Sequence, residues 1–82
     1  MDLLNVGFNQ YVNTNKVLSI LPFGSNPVRR DVEEARQRGT LINANKGRKT
    51  LSVIYLEEGY IMTCGFRSEA LNDRNNVQKG ND

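Results

Sequence analysis

The sequence predicts an α+β fold: a small, strongly twisted antiparallel sheet of about five strands, one main helix over about 27–38, and a short C-terminal helix. Three observations predict it. Short apolar or alternating runs recur between turn residues, which is the spacing of strands. One window, Ser25 to Gly39, carries both the start and the stop chemistry of a helix. The chain has 82 residues, enough for one core and not for two.

Leu3 to Phe8 reads as the first strand, closed by Gly7-Phe8. Asn9 to Lys16 is polar and asparagine-rich and reads as turns, because asparagine tolerates left-handed geometry. Val17-Leu18-Ser19-Ile20-Leu21 is the second strand, stopped by Pro22 and Gly24. The helix follows. Asn26 is the expected N-cap, and Pro27 takes the first helical position, where a missing N–H costs nothing. Asp31, Glu33 and Glu34 lie in its first half and Arg36 and Arg38 in its last turn, an order that suits the helix dipole. Gly39 is the C′ residue. The apolar stripe, Val28, Val32 and Ala35, is thin.

Leu41 to Ala44 is the third strand and Thr50 to Leu56 the fourth, with Lys46-Gly47 turning the chain between them as a hairpin. Leu51, Val53 and Tyr55 point to one face of the fourth strand, and Thr50, Ser52, Ile54 and Leu56 to the other. Both faces are partly apolar. One thin helix does not cover them, which argues for a contact between subunits. Glu57-Glu58-Gly59 is a turn and Tyr60 to Cys64 the fifth strand. Ser68-Glu69-Ala70-Leu71 opens the C-terminal helix, and Asn75 to Asp82 reads as frayed. Residues 1–66 are thus one domain, and 67–82 a short helix with a flexible polar tail.

Composition excludes several classes. With one cysteine and no histidine, an intrachain disulfide, a Cys/His zinc site and a Ser/His/Asp or Cys/His dyad are all impossible. Cys64 sits in a strand pattern and reads as a small buried hydrophobe. Glu57-Glu58 reads as solvated turn acids rather than an acid–base pair. Gly47-Arg48-Lys49-Thr50 echoes the end of a phosphate-binding loop. It lacks the first glycine and leads into a strand. No enzyme, metal, cofactor or small-molecule substrate is expected. No apolar run of membrane-spanning length and no signal-peptide pattern is present, so a reducing, cytoplasmic setting without a membrane partner is expected.

Net charge is only +2, but it is segregated. From Leu3 to Arg30 the charges are Lys16, Arg29 and Arg30; from Ala35 to Leu56 they are Arg36, Arg38, Lys46, Arg48 and Lys49; neither stretch holds an acid. Such segregation gives a surface with one basic face. Its sharpest feature is Asn45-Lys46-Gly47-Arg48-Lys49-Thr50, a glycine-containing turn with three cations. A polyanion is the natural partner. Arg48 can fork onto a phosphate or a guanine edge, while Lys46 and Lys49 act as point charges. Arg29-Arg30 form a second basic cluster, and Lys16 is isolated. The aromatics (Phe8, Tyr11, Phe23, Tyr55, Tyr60, Phe66) form no stacking platform and read as core or interface, so duplex backbone binding fits better than base stacking.

Taken in order, Asn5-Val6-Gly7-Phe8, Asn15-Lys16-Val17-Leu18-Ser19-Ile20, Pro27-Val28-Arg29-Arg30, Ala35-Arg36-Gln37-Arg38-Gly39 and Asn45 to Thr50 resemble the RemA family. Its members are small bacterial regulators of extracellular-matrix (biofilm) genes. The similarity runs in register from about Leu4 to Cys64. The resemblance implies a nucleoid-associated transcription regulator without a helix-turn-helix, similar in subunit arrangement to LytTR-type β-rich DNA binders. It implies subunits assembled into a homo-oligomeric ring, with duplex DNA on the ring's basic surface. The family's DNA-contacting arginines match Lys16, Arg48 and Lys49. Two of these are lysine here, which keeps phosphate contact and gives up bidentate guanine readout. The alternatives are a ring module docking an acidic protein partner, or RNA binding.

Overall fold

The computed structural model describes residues 2–80, with side chains to Asn75. Its strands are β1 (Leu3–Gly7), β2 (Gln10–Asn13), β3 (Val17–Pro22), β4 (Leu41–Asn43), β5 (Ser52–Leu56) and β6 (Ile61–Cys64). Helix α1 (Asn26–Arg38) separates β3 from β4, and α2 (Ser68–Gly80) follows β6. The fold is α+β, as the strand spacing and the single complete helix signature require. The strands form two sheets: a β1-β2 hairpin and a four-stranded sheet in the order β3-β5-β6-β4.

Helix α1 forms where its local chemistry stands. Ser25, not Asn26, is the N-cap: its Oγ accepts from the Val28 N–H at 3.4 Å, with Pro27 in the first turn. Gly39 ends the helix at φ 80°, returning its N–H to the last turn. Val28, Val32 and Ala35 pack with Val53, Ile61, Leu41, Phe23 and Tyr55 on one face of the sheet. Tyr55 fixes the helix to that face through its hydroxyl, which donates to Asp31 Oδ2 at 2.6 Å.

The expectation of turns over Asn9 to Lys16 is corrected. Gly7, Phe8 and Asn9 all adopt positive φ (103°, 55°, 59°) and reverse the chain, so Gln10–Asn13 pairs antiparallel with β1. Alternation hid in this strand because its residues lie on a half-wet hairpin, where polar side chains are tolerated.

The hairpin also overturns the subunit-contact argument from β5. Ile54, Leu56, Met62 and Cys64 on the second sheet face are covered by Leu4 and Val6 of β1 and by Leu71 of α2. Leu71 is fully buried. Alternate residues of β5 therefore feed two cores within one chain. The helix α2 continues past Asn75, which is itself buried, so the frayed stretch does not begin there. Asn81 and Asp82 lie outside the described residues.

The strand β4 pairs parallel with β6, as Leu41↔Ile61, Ile42↔Met62 and Asn43↔Thr63. The sheet is thus mixed, not antiparallel throughout, and β4 and β5 are not neighbours. The Asn45–Thr50 segment is a crossover loop over the end of β6, not a hairpin tip. The turn residues suggested a hairpin because positive φ at two central positions suits both.

Candidate nucleic-acid interface

The basic loop is built around a type I′-like turn. The Arg48 N–H donates to the Asn45 carbonyl at 2.8 Å, and Lys46 and Gly47 have φ 50° and 86°. Gly47 is required at its position because L side chains are strained at that φ. Both stems bond to β6: Ala44 N–H to the Thr63 carbonyl and Leu51 N–H to the Cys64 carbonyl, each at 2.9 Å.

Asn45 fastens the turn from beneath. It is buried, donates its amide to the Arg48 carbonyl and to Thr50 Oγ1 (3.0 Å), and accepts from Thr63 Oγ1 at 2.8 Å. Asn43 Oδ1 accepts from the N–H groups of Asn45 and Lys46, both at 3.1 Å. Gln10 Nε2 donates to the Ala44 carbonyl at 2.9 Å and ties the loop's stem to β2. Sequence reasoning missed this role. The alternation Asn43, Asn45 beside Thr50 was the available signal, because paired Asn side chains flanking a turn commonly replace backbone partners.

The result is a rigid base under three exposed cations. Lys46, Arg48 and Lys49 are all exposed. Among the described residues none forms a salt bridge, whereas Arg36 pairs with Glu33, Arg38 with Glu34 and Lys16 with Glu57. The hydrogen bond from Arg36 holds the Glu33 carboxyl below its usual range. The guanidinium of Arg48 lies 5.9 Å from the centroid of the Phe8 ring.

Arg29 and Arg30 belong to the same end of the sheet. The Phe23 N–H donates to the Leu51 carbonyl at 3.0 Å, which brings the start of α1 beside the loop's exit. The first turn of α1 holds no acid. Placing Arg29 there opposes the helix dipole at a cost of a few tenths of a kcal/mol and concentrates positive potential at this end. Arg29 is partly engaged: it stacks over Phe23 at 4.9 Å, and its Nε donates to the Gly24 carbonyl at 3.2 Å. Arg30 is exposed.

Lys16 does not join them. It precedes β3, whose Val17 faces Leu56, while Pro22 faces Ser52 beside the basic loop. Lys16 therefore stands at the opposite end of the β3–β5 ladder, 3.6 Å from Glu57 Oε1. Within one chain the structure gathers Lys46, Arg48, Lys49, Arg29 and Arg30, and leaves Lys16 apart.

Of the aromatics, Phe23, Tyr55 and Phe66 are half-buried and pack against the two cores, as expected of core residues, while Phe8, Tyr11 and Tyr60 are exposed. The core is aliphatic. Cys64 is fully buried, with Sγ 3.3 Å from the Val6 carbonyl, as a small core residue should be. No helix among the described residues is long and apolar enough to cross a membrane, and no metal-binding cluster occurs among them.

Known proteins share this chain's pattern over nearly its whole length. A protein of Oleidesulfovibrio alaskensis is 40% identical over 72 residues, covering 88% of this chain and 86% of its own. One of Maridesulfovibrio salexigens is 38% identical over 72 residues, covering 88% and 84%. One of Acetivibrio thermocellus is 34% identical over 82 residues, covering 100% and 88%. All three are named for a regulatory role. The model of the RemA-like family, described as extracellular matrix regulatory protein A-like, matches residues 3–74, which takes in β1 to β6, α1 and the described side chains of α2 up to Arg74. The chain belongs to the RemA-like family.

Proposed function

We propose that this protein is a DNA-binding transcription regulator of matrix-type genes that meets duplex DNA with the basic end of its sheet, repeated around a homo-oligomeric ring. The observation that carries the reading is the Asn45–Thr50 loop: three exposed cations without acid partners, held on a buried asparagine. Such a base fixes the loop backbone that carries the charges before any ligand arrives, so little backbone freedom is lost on binding. The family's regulatory naming supports the regulatory half of the reading. The ring rests on the resemblance, and repetition would turn one weak phosphate site into an avid array.

Phosphate contacts position a protein on duplex DNA without reading sequence. Lys46 and Lys49 act in that way. Arg48 is the loop residue with the fork to bond a guanine edge. The test is duplex binding by wild type and by an Arg48→Ala/Lys49→Ala variant at two salt concentrations. Loss of two phosphate contacts lowers the slope of log affinity against log salt by about 1.8 per loop engaged. Equal binding by the variant would refute the assignment. Competition with duplex RNA separates the RNA alternative, and binding of an acidic protein without any salt-dependent DNA shift separates the docking alternative.

A further inference from the structure

Beside Arg48 lies a cleft that duplex backbone binding does not use. It has a volume of about 310 Å³ and is lined by Val6, Gly7, Phe8, Arg48, Gly65 and Phe66. That volume stands at the lower end of small-molecule clefts, roughly 300–1,000 Å³, and suits one ring system rather than a dinucleotide. Its walls are two phenyl rings, its floor includes two glycine backbones, and its charged group is a guanidinium.

The walls are held in place at a cost. Phe8 has φ 55°, left-handed geometry that a bulky residue seldom adopts. Its neighbours Gly7 and Asn9 share positive φ. The two-residue β1–β2 turn requires positive φ at both Phe8 and Asn9, and it presents the half-exposed Phe8 ring beside Arg48. Opposite, Phe66 is half-buried and carries Arg74 over its ring at 4.9 Å, and the Arg74 guanidinium donates to the Asn5 carbonyl at 3.4 Å. Gly7 keeps the cleft open: a Cβ there would stand 3.4 Å from Phe66 Cζ.

The geometry points to the Phe8–Phe66 cleft as a binding site for one nucleotide unit, its base against the phenyl walls and its phosphate on Arg48. Apolar walls take the π-face of a base, and the guanidinium takes the phosphate in a bidentate fork. Arg48 stands 5.9 Å from the Phe8 centroid. A base on the Phe8 ring needs a contact layer of about 3.5–4.0 Å on each side, so it takes the space the guanidinium holds and the exposed Arg48 side chain swings outward to the phosphate. This site rests on the duplex-binding reading only in sharing Arg48. The nucleotide has two sources, a free mononucleotide or an unpaired base of a bound nucleic acid.

Two titrations test it. In the first, AMP is compared with ribose 5-phosphate by calorimetry and by amide shifts at Gly7, Phe8, Gly65 and Phe66. In the second, a duplex with one unpaired adenine is compared with the same duplex carrying an abasic spacer. The expected result is a preference for the base-bearing ligand of at least about five-fold in one comparison, abolished by Phe8→Ala. Preference in the first identifies a free nucleotide, and in the second alone a base presented by nucleic acid. No preference in either comparison, or a preference that survives Phe8→Ala, overturns the site. The duplex reading fails separately, through unchanged binding of a fully paired duplex by Arg48→Ala/Lys49→Ala.

Discussion

At the scale of single residues, Asn45 decides the shape of the basic loop. Its amide serves the Arg48 carbonyl and Thr50, and its carbonyl oxygen serves the Thr63 hydroxyl. Alanine at this position would strand those groups in a buried pocket. The expected cost is about 1–3 kcal/mol, because an unmet buried polar group loses its full desolvation penalty. Urea denaturation of Asn45→Ala should show a lower midpoint with an unchanged slope. Duplex affinity should fall as well, since Lys46, Arg48 and Lys49 would lose their common base. Full stability in the variant would mean that the loop is held by its backbone alone. The three cations of this loop were legible in the sequence because exposed charge follows from composition. The anchor was not, because a buried asparagine and a solvated turn asparagine look alike until their partners, here from β6, are known.

At the scale of elements, what was local was legible and what was distant was not. The limits of α1 follow from Ser25, Pro27 and Gly39, all within its own span or one residue of it. The β4–β6 pairing joins segments twenty residues apart in sequence, and no periodicity reports which strand lies beside which. The two-faced character of β5 is visible in the sequence, but its second cover, Leu4 and Val6 of β1 and Leu71 of α2, comes from the two ends of the chain, and no local pattern reports that they meet there. The joint between α1 and the sheet gives a prediction with a defined sign. Desolvation, then the hydrogen bond to Asp31 and its negative charge, push the Tyr55 hydroxyl up to about 12. A raised folded value means that the protonated phenol is the favoured form in the folded state. Its stabilisation is therefore complete below about pH 10, the unfolded value, and is lost as pH rises through about 12. Tyr55→Phe should be less stable than wild type at pH 8 by about 1 kcal/mol. The gap should close between pH 10 and 12. A difference that stays constant over that window would show that the hydroxyl does not titrate against Asp31.

At the scale of the whole molecule, the arrangement of charge matters more than its sum. A net charge of +2 would not draw a polyanion strongly, yet one end of the sheet holds Lys46, Arg48, Lys49, Arg29 and Arg30. Of the acids, Glu33 and Glu34 pair with later arginines of α1, and Glu57 holds Lys16 at the far end. The number of cations grouped at one end sets a ceiling that separates one subunit from a ring. Five cations at about 0.9 each limit a single end to a slope of about 4.5 in log affinity against log salt. A ring that brings several ends to one duplex must exceed that value. Light scattering at micromolar concentration should then give a mass several times the 9.3 kDa of one chain. The two measurements constrain each other. A multiple mass with a slope below 4.5 would place the basic ends away from a common path, and so break the link between ring and binding. A single-chain mass with a shallow slope would remove the ring from the reading altogether. The expected pair, a multiple mass and a steep slope, would also give Lys16 a place. Standing at the opposite end of its own subunit, it reaches DNA only where assembly sets it beside a neighbour's loop, and Lys16→Ala would then lower the slope further.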